Sequence, residues 1–66
     1  MNYSTWSYIF YIFSQYDDTR YGVDAEHNTI YLSEVPPDQM QQVHLNTLSE
    51  FGFRWDEDIE RWAKHV

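Results

Sequence analysis

The sequence predicts a single α+β domain over residues 1–66, with a small antiparallel sheet of about four strands packed by one or two helices in the order α-β-β-α-β-β. Three patterns point to it. Aromatic and aliphatic side chains recur at helical spacing from Tyr3 to Tyr16. Two later stretches read as strand, turn, strand. Between them, a Pro-Pro-Asp start and a glycine stop bracket a second helical stripe.

Ser4 is placed to cap a first helix that runs to about Tyr16. At about 100° per residue, Tyr3, Trp6, Ile9, Phe10, Phe13 and Tyr16 form one apolar face. Tyr8, Tyr11 and Ile12 then fall off it and leave an apolar patch to be explained. The same stretch is also rich in aromatic and β-branched residues, so a strand stays open as the alternative. Helix is preferred because the stripe outlasts the apolar run of Tyr8 to Phe13.

A β-hairpin follows. Tyr21, Val23 and Ala25 alternate with Gly22, Asp24 and Glu26, His27-Asn28 makes the turn, and Ile30 and Leu32 share a face of the returning strand. Pro36-Pro37-Asp38 opens a second helix, since proline and an acid both suit a first turn. Its apolar face is Met40, Val43, Leu48 and Phe51, with Leu45 at the margin, and Gly52 stops it. The tail reads as a second hairpin with Asp56-Glu57-Asp58 in its turn. Phe53 and Trp55 share one face, and Trp62 stands opposite on the partner strand. A short helix from Asp58, with Ile59, Trp62 and Val66 on one side, is the other reading.

So short a chain has a thin core, and with no cysteine it has neither disulfides nor a cysteine zinc site to reinforce it. Bulky rings take their place, for 20% of the residues are aromatic. Only some of these rings fit inside, so Tyr and Trp are expected at the surface, where they serve as binding anchors.

The net charge of −7 is unevenly distributed. Residues 1–16 carry no charged side chain. Asp17, Asp18, Asp24, Glu26, Glu34, Asp38 and Glu50 face Arg20 alone, and the tail mixes both signs. This disfavours direct contact with nucleic acid or an anionic membrane and favours a protein partner with a basic surface. A base-stacking role for the rings would need a positive groove, and the bases for one are lacking. No apolar run approaches the roughly 20 residues of a membrane span, and no basic segment precedes the apolar stretch, so a cytoplasmic site is expected.

No catalytic constellation is evident, and no cofactor or metal is expected. There is no nucleophile–base arrangement. His27, His44 and His65 lie in three separate segments, and Asp56, Glu57, Asp58 and Glu60 read as a solvated turn. His44 falls near the centre of the second helix's apolar face. It reads as a half-buried ring bonded to a backbone carbonyl, with a pH-responsive position as the alternative.

In small size, lack of cysteine, acid content and surplus aromatics, the chain resembles inhibitors of host defence encoded by phages and mobile elements. These include anti-CRISPR proteins and nucleic-acid mimics. The resemblance is one of general character across the whole chain and carries over no functional residue. It implies a non-catalytic inhibitor acting in the host cytoplasm on a nucleic-acid-processing complex. Asp17, Asp18, Asp24, Glu26, Glu34 and Asp38 would supply the charge, and Tyr8, Tyr11, Tyr16 and Tyr21 the anchoring contacts. The alternative is a homodimeric interaction module whose aromatic N-terminal segment makes the interface and whose acidity serves only solubility.

Overall fold

The computed structural model describes residues 1–17 and 23–66. It has two α-helices and a four-stranded antiparallel sheet, in the α-β-β-α-β-β order expected. The first helix, α1 (Tyr3–Ser14), is followed by β1 (Asp24–Glu26) and β2 (Thr29–Tyr31). A 3₁₀ turn (Pro37–Gln39), α2 (Gln42–Glu50), β3 (Arg54–Asp56) and β4 (Arg61–His65) complete the chain. The strand order is β1-β2-β4-β3, so the two hairpins join through β2 and β4 at the centre.

Asn2, not Ser4, caps α1: its Oδ1 accepts the Thr5 backbone N–H and the Thr5 hydroxyl, each at 2.8 Å. An asparagine whose oxygen reaches the third helical N–H satisfies a donor that the helix leaves open, which places Ser4 inside the first turn. Ile9, Ile12 and Phe13 are buried, with Trp6 and Tyr16 packed beside them. This corrects the expected face. Ile12 is fully buried, whereas Phe10 is 43% and Tyr3 94% exposed. The large apolar side chains spread over most of the helix, and Ser4, Ser7 and Ser14 mark its outer side. Two ring contacts fix its rotation: Trp6 meets Phe53 at 5.8 Å and Phe13 meets Trp62 at 6.0 Å between centroids.

The first hairpin turns at His27-Asn28, both with positive φ (50° and 62°), the backbone that a two-residue hairpin favours. β1 is only three residues long and wholly exposed, an edge kept short. Tyr21 and Gly22, expected to start it, lie outside the described residues.

The second helix does not start at Pro36. The 3₁₀ turn ends at Met40, which is extended (φ −110°, ψ 151°) and buried, and α2 begins two residues later. Turning Met40 into the core breaks the helix, so the stripe read across it was two pieces. Val43, expected inside, is 60% exposed, while Leu48 is fully buried and His44 and Leu45 are half-buried. Gly52 does stop α2. At φ 85° its N–H donates to Ser49 O, and the Phe53 N–H donates to Leu48 O. These two bonds close the helix end, and Phe53 and Leu48 join the same core.

The tail is the second hairpin. Trp55 stands opposite Trp62 in register, with ring centroids 5.9 Å apart. Period two puts Trp55, Trp62, Lys64, Ile30 and Leu32 on the inner face, under both helices. Arg54, Asp56, Arg61, Tyr31, Asp24 and Glu26 lie on the outer face.

Ile12→Ala should lower the unfolding free energy by about 2–4 kcal/mol, whereas Tyr11→Ala one position away should change it by less than about 0.5 kcal/mol. Urea titration checks both. Gly52→Ala should cost about 1 kcal/mol or more in the same titration, because an L side chain strains this φ and its Cβ would stand 3.0 Å from Lys64 Nζ.

Candidate functional site

The topology gathers carboxylates at one end of the sheet. β2 and β4 are antiparallel, so the residues leaving β2 lie beside those entering β4. The Trp62 N–H donates to Ser33 O at 3.1 Å, and Arg61 Nε donates to Leu32 O at 2.8 Å. Glu34 therefore emerges beside the β3–β4 turn, which carries Asp56, Glu57, Asp58 and Glu60. Asp24, the first residue of β1, lies opposite Tyr31 at this same end. The first helix runs from Trp6 over Phe53 to Phe13 over Trp62, which brings Asp17 there too. Finally, the Tyr16 hydroxyl accepts the Gln41 N–H at 3.0 Å, which draws in the segment bearing Asp38. All of these acids are exposed except Asp56, which is half-buried.

The cations are spent elsewhere. Lys64 projects from the inner face to the far end of α2, where its Nζ donates to Phe51 O at 2.6 Å and lies 5.7 Å from the centre of the Phe53 ring. A cation there also suits the helix dipole. Arg61 lies at the acidic end but is drawn inward. Its side chain is 17% exposed, held by Leu32 O and lying 3.7 Å from Asp24 Oδ2. Arg54 stands at the other end of β3 and reaches Asp56 at 3.7 Å. Among the described residues no cationic side chain pairs with Asp17, Glu34, Asp38, Glu57, Asp58 or Glu60. The result is an acidic pole. The opposite pole carries the His27-Asn28 turn, Arg54, Lys64 and His65 together with Glu26 and Glu50.

Of the acids read from the sequence, Asp17, Asp24, Glu34 and Asp38 come together at this pole. Glu26 does not: it lies at the far hairpin tip, 3.2 Å from His27 Nε2. Asp18 and Tyr21 lie outside the described residues. Sequence reasoning missed Glu57, Asp58 and Glu60, because in a tail of mixed charge they read as a solvated turn. Strand period held the missing signal, since Lys64 stands two residues from Trp62 and so shares its helix-facing side. Among the described residues no group of three His, Cys, Asp or Glu is placed to hold a metal ion, and no helix is long and apolar enough to cross a membrane.

The tyrosines divide. Tyr8 and Tyr11 are 47% and 61% exposed on the outer side of α1. Tyr16 is turned inward, with its hydroxyl bonded to His44 Nδ1 as well as to the Gln41 N–H. It braces α1 against α2 and has little of its surface left as an anchor. His44 thus finds a side-chain hydroxyl where a backbone carbonyl was expected.

No family model matches the sequence, and neither a curated protein nor a solved structure matches the chain.

Tyr16→Phe should cost about 1 kcal/mol of stability, since it strands His44 Nδ1 in a part-buried setting and removes an exposed bond to the Gln41 N–H. A loss below about 0.3 kcal/mol in chemical denaturation would show that the brace contributes nothing.

Proposed function

We propose that the chain is a non-catalytic acidic binding protein whose carboxylate pole docks on a basic, nucleic-acid-binding surface of a partner protein and so blocks it. The observation that carries this reading is the segregation of charge: acids from five separate segments converge on one end, where Arg61 is drawn inward to Leu32 O and Asp24, while Lys64 is taken to Phe51 O at the other end. An array in which carboxylates far outnumber cations resembles the phosphate backbone, which carries one charge per about 1.7 Å of DNA axis. Such a field also speeds encounter with a basic surface.

Glu60 supports the reading further. Its φ of 57° is a left-handed conformation that costs an L residue other than Asn or Asp about 1–2 kcal/mol. Glycine would fit there more readily. A carboxylate at that position therefore needs a reason other than fold stability, and a place in the charge array provides one. Occupying a nucleic-acid site is also how the nucleic-acid mimics among small anti-defence inhibitors act, which the chain resembles in size and composition.

Partner proteins retained from cell lysate on the immobilised chain at about 50 mM salt should be released at about 500 mM, where surface charges are screened. They should also be lost from a Glu57→Gln, Asp58→Asn, Glu60→Gln triple variant and kept by Glu26→Gln at the opposite pole. Added DNA or RNA should compete with the chain for them. Retention that ignores both salt and the triple variant would falsify the proposal.

A further inference from the structure

The acidic pole leaves one large surface unused. On the side of α1 turned away from the sheet, Tyr3, Tyr8, Phe10 and Tyr11 are 94%, 47%, 43% and 61% exposed. Ser4, Ser7 and Ser14 lie exposed among them, and no charged side chain occurs in this helix. Ser4, Ser7, Tyr11 and Ser14 follow one another at spacings of three, four and three, the seam along which two helices pack. Tyr3 and Phe10 flank the seam on one side and Tyr8 on the other.

We propose that this face is the interface of an antiparallel homodimer, formed by α1 against the α1 of a second copy. Charge selects the occupant. Two chains of net charge −7 repel each other over most of their surface, and the outer face of α1 is where close approach brings no like charges together. Charge also selects the orientation. The first helix runs from the pole bearing Arg54 and Lys64 toward the acidic pole. Antiparallel packing therefore sets the acidic pole of one copy beside the pole of the other where Glu26 and Glu50 offset Arg54 and Lys64, and keeps the two acidic poles at opposite ends. Parallel packing would place them side by side. The antiparallel arrangement also opposes the helix dipoles favourably and pairs Ser4 with Ser14 and Ser7 with Tyr11 across the two-fold axis. Small residues on the seam let the helices approach to about 8–10 Å between axes.

The area suffices for a weak dimer. The exposed parts of the four rings amount to on the order of 500 Å² per copy, or about 1,000 Å² for the pair, the lower bound for a specific interface. This interface is independent of the blocking role, and it would leave both acidic poles open to partners.

Sedimentation of the full chain up to about 300 µM should show a monomer–dimer equilibrium that does not weaken between about 50 and 500 mM salt, since the interface itself carries no charge. Capture of a basic partner through the acidic pole must weaken over that same range, so the two readings fail separately. Tyr11→Glu should weaken the dimer at least tenfold with an unchanged circular dichroism spectrum. If that variant is unfolded, Ser7→Arg gives the same test at another exposed position. The absence of native cysteine allows a cross-linking test of orientation. A mixture of Ser4→Cys and Ser14→Cys chains should form the mixed disulfide in preference to either symmetric one, because bridging needs Cα atoms about 5.5 Å apart. A chain that stays monomeric at the highest concentration, or a dimer indifferent to both substitutions, overturns the proposal. Predominance of the symmetric disulfides overturns the antiparallel register.

Discussion

Trp62 is the residue on which the remaining structure depends. Its ring lies between Phe13 of α1 and Trp55 of β3, and its indole N–H donates to Val35 O at 2.9 Å. Its backbone carbonyl accepts the Leu32 N–H at 2.8 Å, and its own N–H donates to Ser33 O. One side chain therefore sets the rotation of the first helix, pairs the second hairpin and holds the link between β2 and α2. A domain of this size hides only about 60% of its unfolded surface. With no disulfide to restrain the unfolded chain, it relies on a few large buried groups. A tryptophan suits the centre because it removes up to about 250 Å² from water and still offers a polar atom to satisfy a buried carbonyl.

The same economy shapes the charge distribution. The domain has few cations, and it uses them where backbone carbonyls need donors: Lys64 at the end of α2 and Arg61 beside Leu32. The carboxylates have no comparable inward role, so they remain at the surface, and the chain connectivity brings them to one end. The acidic pole is thus partly a consequence of how the fold satisfies its carbonyls. Glu60 carries its carboxylate on a left-handed backbone better suited to glycine.

Much of the architecture was legible because it rests on local rules. The His27-Asn28 turn, the glycine stop at Gly52 and the Trp55–Trp62 pairing each depend on residues close in the chain and on backbone preferences that few residue types share. The errors came where several answers satisfy the same local pattern. Ile12 and Phe10 are both apolar, and the position of Trp62 and Phe53 fixes which of them faces inward. Met40 continued a helical stripe on paper, but burying it required extended backbone. Tyr16 read as a surface anchor because nothing nearby in the sequence shows that His44 and Gln41 would meet it.

The acidity and the uncharged aromatic N-terminal segment were determined by the sequence alone, since composition and order need no fold. Which acids act together was decided by tertiary structure. The antiparallel pairing of β2 with β4 set Glu34 beside the turn of the second hairpin, and the inward face of β4 took Lys64 out of the tail's charge balance. The physical reason is range. Backbone preference acts over a few residues, whereas a surface field depends on where distant side chains finally point.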